Sequence, residues 1–195
     1  MDLNGVMNKT RKLKPLMDLK NYIVKKIDNN QSIKRYCKYL TYEPLELTSI
    51  NYSGVAVNQP DIKESLIEDI KDLNKSANII PYTLNNTDSI LEKKVLIFIH
   101  NYKNDLRGKM GEITFMVDIA CPKLFNKLPF GEERIYKIAE QIIEELDDKY
   151  VEEPYIDSIG AYKFRVDGIG KEWIYEDNKA IVYSFPICVY CNNDR

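Results

Sequence analysis

The sequence predicts an α+β fold: a small, mostly antiparallel sheet of two hairpins, covered by an N-terminal helix and a central amphipathic helix. Three observations carry this prediction. Residues 131–151, GEERIYKIAEQIIEELDDKYV, place their apolar residues at helical spacing. The stretches before and after, 93–121 and 158–190, carry apolar residues at the period of a strand. Turn-forming Gly, Pro and Asn separate the segments. A helix with one apolar face needs a flat apolar surface to cover, and the flanking strands supply it.

In the central helix, Ile135, Ile138, Ala139, Ile142, Leu146 and Tyr150 mark the apolar face. Glu133, Lys137, Glu140, Glu144 and Asp148 mark the opposite face. Acids at its start suit the helix dipole, and the further acids at its end oppose it. From the N-terminus, Leu16–Asn29 reads as the first helix, with Leu16, Leu19, Ile23 and Ile27 on one face and Pro15 in its first turn. Asn29-Asn30 breaks it. Helical spacing resumes over Gln31–Thr41 through Ile33, Tyr36, Cys37 and Leu40, with Ser32 as the expected cap.

Residues 43–59 alternate loosely, which gives one or two short strands. Asp61 with Glu64 then forms a capping-box pattern ahead of Ile62, Leu66, Ile70 and Leu73, a short helix by spacing. Residues 76–89 read as a polar connector around Ile79-Ile80-Pro81-Tyr82. The core begins with KKVLIFIHNY, whose near-continuous apolar run indicates a strand covered on both faces. Tyr102–Gly111 is polar and reads as a long hairpin loop, and EITFMVDIACP resumes strict alternation. After the central helix, Tyr162, Phe164 and Val166 alternate, GIGKEW turns the chain, and AIVYSFPICVY closes the sheet. Pro186 within that last strand implies an edge or a bulge. The organisation is one domain over 1–195, with a helical region at 1–42, an insertion or elaboration at 43–89, and a hairpin–helix–hairpin core at 90–195.

Composition narrows the function. The net charge of -2 argues against a chain that grips nucleic acid by bulk electrostatics. No apolar run approaches the roughly 18 residues of a membrane helix, and no signal peptide is apparent, so cytosol-like conditions are expected. The four cysteines fit that compartment. Cys188-x-x-Cys191 has the spacing of a zinc or redox pair, but a continuous strand points residues three apart to opposite faces. His100 is the only histidine and sits in an apolar strand, where a packed or hydrogen-bonded role is expected. Gly168-Ile169-Gly170-Lys171 lacks the spacing of a phosphate loop and reads as a turn. Glu112 and Asp118, sharing one strand face, could form the carboxylate pair of a metal-dependent nuclease, but also suit a solvated face. The 14 tyrosines, without an Arg-rich stripe beside them, suit protein interfaces better than base stacking.

The order of elements, from Leu16–Asn29 through Val95–Ala120 and Glu132–Val151 to Ile159–Val189, resembles the tail terminator and tail-completion (neck) proteins of tailed bacteriophages. The ending, a Trp followed by AIVYSFPICVY, is similar to that family's last strand pair. The resemblance covers a little over half the chain and leaves 43–89 unexplained. It implies a virion protein of the tail or neck, assembled in the host cytoplasm. It also implies a non-enzymatic homo-oligomeric ring, usually a hexamer, that caps the tail tube and joins it to the head connector. The expected partners are therefore other copies of the chain, a tail tube protein and a head connector or stopper protein. No cofactor, no membrane and no sequence-specific nucleic acid is expected. Lys103, Asn104, Asp105, Leu106, Arg107 and Lys109 of the hairpin loop are the candidate contacts, with Glu140, Glu144 and Asp148 on the helix face. A metal-dependent nuclease using Glu112 and Asp118, and a monomeric protein-binding module, are the alternatives.

Overall fold

The computed structural model describes residues 3–68, 77–81, 94–107, 110–151, 161–166, 169–175 and 179–192. Its order is α1 (Leu3–Asn29), α2 (Gln31–Lys38), β1 (Thr48–Ile50), β2 (Ala56–Asn58), β3 (Ile79–Ile80), β4 (Leu96–Arg107) and β5 (Met110–Pro122). There follow α3 (Lys123–Asn126), a 3-10 turn (Pro129–Gly131), α4 (Arg134–Leu146), β6 (Ala161–Arg165), β7 (Lys171–Tyr175) and β8 (Ala180–Asn192). The fold is α+β, and its main sheet is antiparallel apart from the short β3, which runs parallel to β4.

Strand order in that sheet is β3-β4-β5-β8-β6, with β7 also on β8. The first hairpin stands as expected, β4 against β5. The second region is different: β6 and β7 do not pair with each other but lie end to end along β8. β8 is long enough to serve both, with Cys188–Asn192 against β6 and Ala180–Ser184 against β7. Pro186 consequently sits in an interior strand, yet within Phe185–Ile187, where only β5 is paired to it. A residue without an N–H is tolerated there because no ladder runs on the far side. Gly170 opens β7 against Tyr183: a Cβ there would lie 2.4 Å from the ring and 2.6 Å from the Ser184 carbonyl.

One face of the sheet carries the main core. Ile97, Ile99, Ile113, Phe115, Val117, Ile119, Phe185, Ile187 and Val189 meet Leu19, Ile23 and Ile27 of α1, Ile33 of α2 and Ile135, Ile138 and Ile142 of α4. All of these are buried, so the alternation in β5 and the stripe in α4 register burial directly. The other face holds a smaller cluster of Ile80, Leu96, Phe98, Ala120, Ala180 and Val182, with Trp173 against it. Val95–Ile99 is buried on both faces, as its unbroken apolar run predicts.

Several local expectations change. α1 begins at Leu3, so Pro15 lies inside the helix and not in its first turn. The good helix formers on both sides, Arg11–Leu13 and Leu16–Leu19, let the helix continue through the missing N–H. α2 ends at Lys38, and its cap is Asn30, whose side-chain oxygen accepts from the Ile33 N–H at 3.1 Å. Ser32 is already inside the helix. Asn30→Ala should lower unfolding stability by about 1 kcal/mol in urea titration, the usual loss of a capping side chain. α4 ends at Leu146; Asp148 has φ 59° and Tyr150 is exposed, so both lie beyond the helix.

Residues 61–68 do not form the expected helix; the rest of that stretch, 69–76, lies outside the described residues. Tertiary bonds outbid the capping pattern: the Leu66 N–H donates to Asp28 at 2.7 Å, and Ile67 bridges to Ile79. Ile79-Ile80, expected within a connector, forms the edge strand β3. The β1–β2 hairpin fulfils the two-strand reading. α2 anchors the segment that follows it. Arg35 donates to the Pro44 carbonyl at 3.0 Å, and Lys34 to the Glu64 carbonyl at 2.7 Å. Gln31 exchanges two bonds with the Ile62 backbone, at 3.0 and 3.1 Å.

Candidate interaction surfaces

The first surface is the distal half of β4. Its strand pairing with β5 continues through Lys103↔Thr114, Asp105↔Glu112 and Arg107↔Met110. The expected long loop is therefore paired as far as Arg107 and Met110, and residues 108 and 109 lie outside the described residues. Asn101–Asp105 are all exposed, so β4 is polar on both sides there, while its partners Ile113 and Phe115 on β5 are buried. That explains why alternation vanished from the sequence: a strand with neither face buried has no hydrophobic period. The register slips at Tyr102, a bulge that leaves this residue 70% exposed. Among the described residues, β4 has a strand on its outer side only at Ile97 and Phe98, against β3. Beyond them no strand among the described residues lies on its outer edge. Lys103, Asn104, Asp105, Leu106 and Arg107 thus stand together on this ribbon, while Lys109 lies outside the described residues.

Glu140 and Glu144 do lie on the exposed side of α4. Lys137 donates to Glu140 at 3.2 Å, and Gln141 donates to Glu144 at 2.9 Å. Asp148, in the turn after α4, pairs instead with Lys163 on β6. The structure does not bring these acids together with the ribbon of the same chain.

The second surface was missed in the sequence. Between α3 and α4 the chain reads Leu128-Pro129-Phe130-Gly131, and Phe130 has φ 60°, ψ 19°. A left-handed aromatic residue costs about 1–2 kcal/mol, and such strain persists only where the surroundings fix it. Here they do. The Leu128 N–H donates to the Glu132 carbonyl at 2.9 Å, and the Glu132 N–H to the Pro129 carbonyl at 3.2 Å. The Tyr52 hydroxyl bonds the Lys127 carbonyl at 2.6 Å, tying the β1–β2 hairpin to the same turn. Phe130 itself projects with a relative exposure of 101%. On one side of it lies a cleft of about 150 Å³ walled by Tyr36, Tyr42, Pro44, Leu45 and Leu128, with Glu43 and Glu46 among its lining residues. A broader depression of about 410 Å³, lined by Gly131, Glu132, Glu133, Tyr136, Lys137 and Glu140, shares Glu132 with that cleft. The available signal was an aromatic residue between Pro and Gly in a linker. Phe130→Gly should leave stability unchanged or raise it by up to about 1 kcal/mol in thermal unfolding, because the ring buries nothing and the left-handed strain is relieved.

This turn is set by Arg134, whose side chain is fully buried. Its guanidinium donates to the carbonyls of Phe125 at 2.7 Å, Tyr36 at 2.8 Å, Tyr39 at 3.0 Å and Thr41 at 2.6 Å. The Tyr36 and Tyr39 carbonyls belong to the C-terminal end of α2, where the helix dipole favours a cation. Asn126 completes the joint by accepting from the Ile135 N–H at 3.1 Å, a cap supplied from α3 because Glu133 makes none.

The remaining candidates resolve as follows. His100 Nε2 lies 3.0 Å from Asp118 Oδ2 across the strands, the hydrogen-bonded strand histidine expected. Glu112 accepts from the Thr114 hydroxyl at 3.0 Å. Glu112 and Asp118 share a face but stand six residues apart on β5, about 20 Å at the usual rise of ~3.3 Å per residue. At that separation the two carboxylates cannot hold one ion between them. Among the described residues no group of three or more His, Cys, Asp or Glu could hold a metal. Cys188 and Cys191 lie on the continuous strand β8, as the opposed-face argument requires. Burial pushes the Cys37 and Cys121 thiols up to about 12, so both are held protonated and unreactive. At pH 8, alkylation read by peptide mass spectrometry should label these two only after unfolding. No helix among the described residues is long and apolar enough to cross a membrane. No model of a known protein family matches this chain, and no curated protein matches its sequence.

Proposed function

We propose that the chain is a structural subunit of a tailed-phage virion, assembling into a ring at the head–tail interface that terminates the tail tube and joins it to the head connector. The observation that supports this reading is the β4–β5 ribbon, whose outer edge has no partner strand beyond Phe98 among the described residues and which bears the exposed Lys103 and Asp105. An open edge offers unpaired backbone groups to another chain, and a bulge with charged residues keeps that pairing from becoming indiscriminate. The bulge at Tyr102 and the neighbouring charges have this form. The element order that resembles neck and tail-completion proteins supports the same assignment. In this role the chain performs no catalysis; it acts by geometry, presenting ribbons and turns to neighbours in a closed cyclic assembly. Partners are other copies, the tail tube protein and the connector or stopper, and the place of action is the virion neck after assembly in the host cytoplasm.

A capping subunit limits growth. Added to the polymerising tail tube protein of the same phage, the chain should halt elongation and leave a distinct ring at one tube end in electron micrographs. Tubes of unchanged length with bare ends would refute the proposal.

A further inference from the structure

The cleft beside Phe130 presents acceptors on aromatic walls. Its volume of about 150 Å³ lies below the ~300–1,000 Å³ of pockets that hold a whole small ligand, and suits a single side chain. Tyr36, Tyr42 and Phe130 give it aromatic walls, and Glu43, Glu46 and Glu132 also line it. No Lys, Arg or His stands among the described residues of that lining. The cations that reach these segments are already engaged. Arg35 donates to the carbonyls of Pro44 at 3.0 Å and Glu46 at 2.5 Å and pairs with Asp61 at 3.2 Å. Lys137 bridges Glu132 at 2.9 Å and Glu140 at 3.2 Å. The Glu43 and Glu46 carboxylates have no partner among the described residues.

Tyr36 gives a second, independent sign. It is only 6% exposed, yet its hydroxyl, accessible and not sealed in the core, has no hydrogen-bond partner among the described residues. Buried polar groups are normally bonded, and this one stands in the wall of a cleft. The cleft is also held in shape before any partner arrives, which lowers the ordering cost of binding. Gln59 donates to the Glu43 and Glu46 carbonyls at 2.9 and 2.8 Å, and the Glu43 N–H donates to Ser49 at 3.1 Å.

We propose that this cleft receives an arginine side chain, flanked by apolar residues, from a segment of a partner protein. A guanidinium carries five donors and no acceptor, which matches two carboxylates and a phenol oxygen, and its flat face stacks on aromatic rings. Lysine offers a point charge without that face. The apolar neighbours of the arginine cover Leu45 and Phe130, which are 46% and 101% exposed. An anchor of this type, a desolvated arginine among aromatic rings, is where interface energy concentrates. The contact goes beyond the ring reading and does not depend on it.

The test pans the immobilised full chain against a display library of random peptides, then measures the enriched peptides in synthetic fluorescent form by anisotropy. They should share an arginine beside leucine, isoleucine or an aromatic residue. Citrulline in place of that arginine keeps the shape and removes the charge, and should weaken binding at least about tenfold, as for a central anchor. Tyr36→Phe, and Glu43→Gln combined with Glu46→Gln, should each weaken it about threefold or more while circular dichroism and Tm stay as in the wild type. Glu144→Gln, on α4 away from the cleft lining, should change nothing. A merely structural Tyr36 hydroxyl would show the reverse, a lowered Tm with unchanged affinity. No enrichment, enriched peptides without a shared arginine, or affinities indifferent to citrulline or to the cleft variants overturns the proposal. Tube capping decides the ring reading separately, so either can fail alone.

Discussion

Replacing Arg134 by Met should destabilise the fold by about 3–5 kcal/mol, the largest effect expected of any single polar substitution in this chain. The guanidinium is buried and serves four carbonyls from three segments: the end of α2, the turn that follows it, and α3. Methionine fills comparable volume but leaves those acceptors without donors in a site closed to water, each worth about 1–3 kcal/mol. Lysine should rescue little, because a single ammonium cannot reproduce the planar fork that reaches Phe125 and Thr41 together. Chemical denaturation measures this directly. Loss of less than about 1 kcal/mol in Arg134→Met would mean that the joint is not held as described. The same variant should release the Phe130 turn, so the ridge would lose its fixed shape even where the chain stays folded.

The second large effect lies in the core. Phe185→Ala should cost about 3–5 kcal/mol and lower Tm by roughly 10 °C in a domain of this size. The ring is fully buried on β8 opposite Val117, with its centroid 5.7 Å from that of Tyr183. It belongs to the stretch where β8 has β5 on one side and neither β6 nor β7 on the other. Packing above the sheet must hold the strand there, since no ladder does. A cavity at this point removes contacts to the helices and loosens the join between β6 and β7. Calorimetry showing a Tm within about 2 °C of wild type would contradict this view of the core.

What was legible in the sequence is what burial imprints on it. Ile135, Ile138 and Ile142 announce α4, and Ile113, Phe115, Val117 and Ile119 announce β5, because each element hides one face. Asn101 to Asp105 gave no such signal, since that part of β4 hides neither face, and its polar residues read as loop. The capping pattern at Asp61 misled for the opposite reason: local preference there is overruled by Asp28, a partner far away in sequence. Arg134 was readable in part. It falls four residues before Ile138 on the buried stripe of α4, where an arginine must either reach solvent or find carbonyls. The four carbonyls themselves come from segments that only the folded chain assembles. Of the candidate contact residues, the exposure of Lys103, Asn104, Asp105, Glu140 and Glu144 was accessible from sequence but the strand pairing of the first three was not, and the Phe130 ridge depends on backbone dihedrals that no hydrophobic pattern encodes.

The central claim, a ring-forming subunit of the phage neck, is tested most directly by electron microscopy of the purified chain, alone and with its tail tube protein. Class averages should show closed rings of a single stoichiometry, six by the family resemblance, seated at tube ends. Monomers under both conditions, with tubes left uncapped, would contradict it.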